Sequence, residues 1–308
     1  RGTRPSAWER MGTASGLKFL DQDGLIADRL GLFASPDPSS NESAQEEALA
    51  ASDSVDVITG IPTTITNGNE GMISSRFQDH SWVTDDGAVH IMANTNGQLS
   101  LYSSDDSGQT WDETATLTNS SGSSRADGVI IDGLLHEVYT TGNGGVALSI
   151  LSYSEDDVSW TVESTEVFPK PASFRLERPS ITVTDDGIIA VACTAIDQAT
   201  GQASLRVAYS EDQGQTWTIV DQGIENTKGD GRMSGDIVST DDGLGLLYSN
   251  GNTLNWIEYS EEAAAGSRLV TERLLVKGDT QNDPNGTHFS SAIDENGNIH
   301  VATNNGEQ

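Results

Sequence analysis

Ser104-Asp105-Asp106-Ser107-Gly108-Gln109-Thr110-Trp111 and Ser210-Glu211-Asp212-Gln213-Gly214-Gln215-Thr216-Trp217 obey one pattern, S-x-D-x-G-x-T-W. Ser154-Glu155-Asp156-Asp157-Val158-Ser159-Trp160 is a shortened copy without glycine. Ser260-Glu261-Glu262 begins a fourth copy that decays. The opening serines lie 50, 56 and 50 residues apart. A period near 50 residues marks a repeat architecture in which each repeat is one supersecondary unit.

The turns keep the same beat. Glycines end the tripeptides Asp85-Asp86-Gly87, Ile131-Asp132-Gly133, Asp185-Asp186-Gly187, Asp241-Asp242-Gly243 and Glu295-Asn296-Gly297, spaced 46, 54, 56 and 54 residues apart. Between them the chain alternates apolar and polar residues in short runs, as half-buried strands do. In the first period strands are predicted over His80–Thr84, Ala88–Ala93, Gln98–Ser103 and Trp111–Leu117, joined by Asp/Asn-Gly turns suited to tight hairpins. Four antiparallel strands per period is one propeller blade.

The octapeptide resembles the Asp-box, or BNR, repeat of sialidase-like β-propellers, and the resemblance covers roughly residues 78–308. It implies an all-β fold of four-stranded antiparallel blades, at least five and six on the family pattern. The motif has a physical reading. The aspartate accepts backbone N–H bonds inside a hairpin loop, the glycine takes a positive φ, and the tryptophan packs on adjacent strands. In the family these loops lie on the blade periphery. Ser104, Asp106, Gly108, Thr110, Trp111, Ser210, Asp212, Gly214, Thr216 and Trp217 are therefore expected to be structural.

Four periods are complete, and Phe289–Ile293 with Ile299–Thr303 begins a fifth. Either Val55–Thr66 supplies a strand that closes the ring, or further blades follow beyond this sequence. Residues 1–52 do not fit a blade. Gly16–Phe33 reads as a docking piece and Pro36–Ser54, rich in Ser, Asp and Glu, as a linker. The division expected is 1–52 as an anchoring segment that mounts the module on a larger assembly, and 53–308 as the propeller.

Of 308 residues, 47 are Asp or Glu and 16 Lys or Arg, a formal charge of −31. Such a surface repels nucleic acid and anionic membrane. With only four lysines (Lys18, Lys170, Lys228, Lys277), it also suits a salt-loving source, where screening keeps a carboxylate-rich surface soluble. No apolar run is long enough to cross a membrane as a helix. The single cysteine, Cys193, leaves no disulfide framework. No cofactor motif is present, and no metal is expected. The histidines (His80, His90, His136, His288, His300) are scattered, and the Asp-Asp-Gly turns lack calcium-loop spacing. Sequons at Asn41, Asn119 and Asn285 permit glycosylation.

Arginines recur just before the first strand of each repeat: Arg76, Arg125, Arg175 with Arg178, and Arg232, with His288 in the fifth. In a propeller those positions converge on one mouth of the central channel. Converging guanidinium groups would bind an anion, and their forks suit carboxylates. Ser173–Ser180 resembles the sialidase Arg-Ile-Pro segment, with Arg175 or Arg178 as the counterpart. The competing reading pairs each arginine with a nearby acid: Arg76 with Asp79, Arg125 with Asp127, Arg178 with Glu177, Arg232 with Asp236.

A sialidase-type mechanism, as the resemblance implies it, needs a tyrosine nucleophile and an acid/base carboxylate. Asp79, Asp127, Glu177 and Asp236 are the candidate acids. Tyr102, Tyr139, Tyr153, Tyr209, Tyr248 and Tyr259 fall where core packing is the default, and residues 266–308 contain no tyrosine. The sequence thus favours an extracellular propeller that recognises a cell-surface glycan or acidic sugar, on a virion or cell-surface appendage. The alternatives are a sialidase-type hydrolase or polysaccharide lyase, and a propeller serving protein contacts.

Overall fold

The computed structural model describes residues 78–226, 233–241, 243–250, 253–260, 269–277, 289–294 and 297–303. The N-terminal segment, the Val55–Thr66 strand and the Asn41 and Asn285 sequons lie outside them. The described residues are strands and turns throughout. Blade 1 is β1 (Ser81–Val83), β2 (Val89–Thr95), β3 (Gln98–Ser104) and β4 (Asp112–Thr116). Blade 2 is β5 (Ala126–Ile131), β6 (Leu134–Thr140), β7 (Val146–Ser154) and β8 (Ser159–Phe168). Blade 3 is β9 (Phe174–Val183), β10 (Ile189–Asp197), β11 (Ala203–Ser210) and β12 (Thr218–Glu225). Blade 4 is β13 (Met233–Thr240), β14 (Gly243–Asn250), β15 (Thr253–Ser260) and β16 (Leu269–Lys277). A fifth sheet holds β17 (Phe289–Ile293) and β18 (Ile299–Thr303). Each complete blade is an antiparallel meander in chain order.

Consecutive blades pack face to face. Leu101 and Met92 of blade 1 meet Leu135, Tyr139 and Leu151 of blade 2. Val138, Leu148 and Phe168 of blade 2 meet Leu176, Ile181 and Val191 of blade 3. Leu205 and Val207 meet Ile237, Leu246 and Tyr248 of blade 4, and Trp256 meets Phe289. Each middle sheet is thus buried on both faces. This explains the continuous apolar run of β10. Ile189, Val191, Cys193 and Ala195 face blade 2, while Ala190, Ala192 and Ile196 face blade 4. The first strands lie side by side, β5 against β9, β9 against β13 and β13 against β17. They are the inner strands, and the fold is a run of propeller blades about them.

The turns follow the expected chemistry. Asn96-Gly97 and Asp132-Gly133 have both residues at positive φ (51 and 88°, 51 and 80°), the two-residue hairpin of type I′. The strand expected over His80–Thr84 is shorter, because Thr84 already belongs to the next turn: its carbonyl accepts the Gly87 N–H at 2.9 Å.

The two complete S-x-D-x-G-x-T-W loops fold alike. Asp106 Oδ1 accepts from Ser104 Oγ and from the N–H groups of Gln109 and Thr110, each at 2.8 Å. Asp106 Oδ2 accepts from Thr110 Oγ1 at 2.7 Å. Asp212 repeats this with Ser210 Oγ at 2.8 Å, Thr216 N–H at 2.8 Å and Thr216 Oγ1 at 2.6 Å. The serines also accept the N–H of Gly108 and Gly214, both at 2.8 Å. Bonds from Thr110 N–H and Oγ1 hold Asp106 down to about 2, and bonds from Thr216 Oγ1 and N–H do the same for Asp212. Trp111 and Trp217 are half-buried rather than fully buried. The fully packed ring belongs to the shortened copy, where Trp160 packs edge-on against His90 and at a tilt against Tyr153.

Two substitutions test this packing. Gly245 lies under the Trp256 indole, so a methyl group there overlaps the ring. Gly245→Ala is expected to destabilise by about 1–3 kcal/mol in urea unfolding. Asp212→Asn is expected to lower the melting temperature at neutral pH. Its folded pKa lies below the ordinary aspartate value of 3.8, so the difference shrinks as pH falls from about 4 towards about 2.

Candidate functional site at the inner-strand mouth

The entries to the inner strands gather at one end of the blades, opposite the S-x-D-x-G-x-T-W loops. Arg125 directly precedes β5 and is half-buried there. Arg175 and Arg178 do not precede an inner strand, as the sequence reading expected. They lie within β9, which begins four residues after Lys170, at Phe174. Arg76, Arg232 and His288 lie outside the described residues.

A bulge shapes this part of β9. Ala192 pairs with Ser180, but Thr194 pairs with Glu177, so β9 carries one extra residue at Arg178-Pro179. Arg178 takes φ 51°, a left-handed conformation rare for a side chain of its size. The extra residue changes which face the alternation presents. Leu176, Ile181 and Val183 all reach the core shared with blade 2, although Leu176 is even-numbered and the other two odd. Glu177 and Ser180 therefore share the face towards blade 4.

Arg175 Nε meets Glu177 Oε1 at 2.8 Å, and Arg178 Nη2 lies 3.8 Å from Glu177 Oε2. Arg178 Nη1 also donates to Met233 O of blade 4 at 3.0 Å. The Arg178–Glu177 pairing is present, yet the closer partner of Glu177 is Arg175. The Arg175 side chain is 58% exposed and that of Arg178 21%. Arg175 is the group open to solvent, and Arg178 is tied into the blade interface.

Asp127 and Asp236 have partners on other blades. Asp127 Oδ1 accepts the Asp79 N–H at 2.7 Å and Oδ2 the Ile181 N–H at 2.9 Å. Asp236 Oδ1 accepts from Ser180 Oγ at 3.2 Å, and Oδ2 accepts from Ser291 Oγ. Ser180 Oγ in turn accepts the Ile237 N–H at 3.1 Å. Gln78 Nε2 donates to Pro179 O at 2.7 Å, from blade 1 to blade 3. Burial, with the Asp79 and Asp236 carboxylates nearby, raises Asp127 well above the ordinary range. Burial raises Asp236 to about 7, against the hydrogen bonds from Ser291 and Ser180. Asp79 keeps an exposed surface, and protein packed around its carboxyl raises it too.

Of the four candidate acids, Asp127 and Asp236 have both oxygens engaged by other blades and Glu177 is held by two arginines. Asp79 is the one that keeps an exposed surface at the rim. Sequence reasoning missed Glu137, which is fully buried beside Asp127 and Asp79. The signal was there: Glu137 falls in phase with Leu135 and Tyr139, on the face of β6 that packs on blade 1. Tyr102, Tyr139, Tyr248 and Tyr259 are buried, as core packing requires. Among the described residues no group of three or more His, Cys, Asp or Glu is arranged to hold a metal ion.

No family model matches the chain, and no curated protein matches it. Solved structures similar to it include a PL25 ulvan lyase bound to an oligosaccharide (15% identity, TM-score 0.48, covering 73% of this chain and 61% of that one). Others are a Hadza microbial sialidase (14%, TM-score 0.45, 73% and 52%) and a GH93 α-L-arabinofuranosidase of Fusarium graminearum (12%, TM-score 0.48, 79% and 78%). The chain spans less than two thirds of the lyase and of the sialidase. Likeness at this level transfers neither substrate nor activity.

The bulge separates two roles for Arg178. Arg178→Ala removes the bond to Met233 and is expected to cost roughly 1.5–3 kcal/mol of stability. Arg178→Gly loses the same bond but accepts the positive φ, and should recover about 1 kcal/mol of that in the same denaturation assay.

Proposed function

We propose that this chain is an extracellular carbohydrate-recognising propeller whose ligand sits at the inner-strand mouth. The observation that carries the reading is the exposed Arg175 guanidinium beside Glu177, with Arg125 and Asp79 at neighbouring strand entries. Guanidinium and carboxylate groups side by side suit a polyhydroxylated ligand, since one donates and the other accepts hydrogen bonds to sugar hydroxyls. An acidic sugar would bring a carboxylate for the Arg175 fork. The scaffold beneath is rigid, because the inner strands are braced to one another by buried side chains.

Catalysis is the second reading, and Asp236 favours it: a carboxylic acid near 7 is in the range of a general acid. Against this stand its burial and its two occupied oxygens. A mouth that only mediates protein contacts is the third reading. The extracellular setting, the salt-loving source and the mounting on a virion or cell surface belong to the proposal. They rest on the charge of −31 and on the order of segments in the sequence.

Glycan-array binding at high salt, with wild type and Arg175→Ala, tests the proposal. Wild type is expected to bind a defined subset of glycans. Arg175→Ala should lose that signal with its melting temperature nearly unchanged, since exposed ion pairs contribute little. A wild type that binds no glycan, or an Arg175→Ala that binds as well, would overturn the reading. Release of sugar from the bound glycans would establish the hydrolase or lyase alternative.

A further inference from the structure

The Glu137 carboxyl is fully buried, and among the described residues neither of its oxygens has a hydrogen-bond partner. It lies directly on the Cα of Gly128, its cross-strand partner on β5, and beside the Trp82 ring of β1. A side chain larger than hydrogen at position 128 would collide with it. An unbonded carboxylate in such a place is very costly, whereas the protonated acid carries only the smaller cost of a neutral polar group.

Its surroundings make the charged form worse. Asp127, next to Gly128 on β5 but turned towards blade 3, and Asp79, in the segment entering β1, both add negative charge nearby. β1 (Ser81, Trp82, Val83) and β7, which sets Ser149 opposite it, offer no charged side chain. On β9, Glu177 faces blade 4 and is held by Arg175 and Arg178. His136, its neighbour on β6, points to the opposite face by strand alternation. His90 of β2 is occupied by Thr84, Ser103 and Trp160. His80, in the segment entering β1, is buried with Nε2 unbonded, and burial lowers it to about 4, so it brings no positive charge at higher pH. No cation faces Glu137 among these groups.

We propose that Glu137 is the proton-carrying member of a latch across the inner strands: its proton lets Asp127 keep its bonds to β9 and to the entry of β1, and loss of that proton loosens them. Asp127, whose oxygens accept two amide N–H bonds, is the member best able to carry negative charge. Asp236, bonded by Ser180 and Ser291 and repelled by Asp79, is a second proton-holding group in the same chain of contacts. Glu137, Asp236 and Asp127 all titrate above their unfolded values, owing first to burial. Their contribution to stability is therefore full below about pH 4 and is lost as pH rises, for Asp236 through about 7. The aspartates of the S-x-D-x-G-x-T-W loops act in the separate window from about 4 to about 2. Buried charges are little screened, so the effect persists in salt.

The test is the melting temperature of wild type, Glu137→Gln and Asp236→Asn from about pH 5 to about pH 9. Wild type is expected to lose stability as pH rises. Glu137→Gln, which removes up to about one proton from the folding difference, should flatten that decline and be the more stable protein at the alkaline end. Parallel profiles, or a Gln variant weaker by the same amount at every pH, would overturn the proposal. Should Glu137→Gln not fold, amide exchange in the wild type decides it. Protection at Ile181, after correction for intrinsic rates, should fall with pH, and unchanged protection sinks the idea.

Discussion

The inner strand of a propeller blade is the edge of a sheet, and an edge leaves backbone groups without a ladder partner. Here the next blade supplies those partners through side chains. Asp127 shows the constraint most clearly. One carboxylate accepts an amide from Asp79 in blade 1 and another from Ile181 in blade 3, while itself belonging to blade 2. The same logic runs round the axis. Ser180 accepts from Ile237, Thr182 from Ser239, and Met233 O receives both Thr194 and Arg178. Short polar residues sit on these strands because a buried amide must be bonded, and they are the groups that can reach it.

That bracing depends on the bulge at Arg178-Pro179. With period-2 alternation alone, Glu177 and Ser180 would point to opposite faces of β9. The extra residue puts both on the face towards blade 4. At the same point Pro179 O is released from the ladder to accept Gln78. The strained backbone of Arg178 is what lets one strand serve two tasks: an exposed arginine–glutamate pair at its entry and an inter-blade brace further in.

At the far end of the blades a different device operates. The complete loops are self-contained, each closed by its own aspartate. The shortened loop in blade 2 lacks the threonine and glycine that close the others. It is held across the blade interface, where Tyr153 OH donates to Asp86 at 3.0 Å and Trp160 Nε1 meets His90 at 3.3 Å. Loss of a local closure is offset by contacts with the neighbouring sheet, so the repeat decays in sequence while the blade keeps its shape.

The sequence by itself determined the repeat, the four-stranded meander and the Asp-Gly hairpins, because these rest on local chemistry: positive φ, side chain-to-backbone bonds and period-2 alternation. It also placed Arg125, Arg175, Arg178, Asp127 and Asp236 near one end of the blades. Only the tertiary structure decided what those groups do there. The partners of Asp127 lie 48 and 54 residues away, and those of Asp236 at similar range. No local pattern encodes such pairings. The bulge was hidden as well, because one extra residue in a strand leaves composition untouched while reversing every facing after it. Glu137 was legible as an acid in an apolar phase, but its neighbours, Gly128 and Trp82, meet it only once three strands are in place.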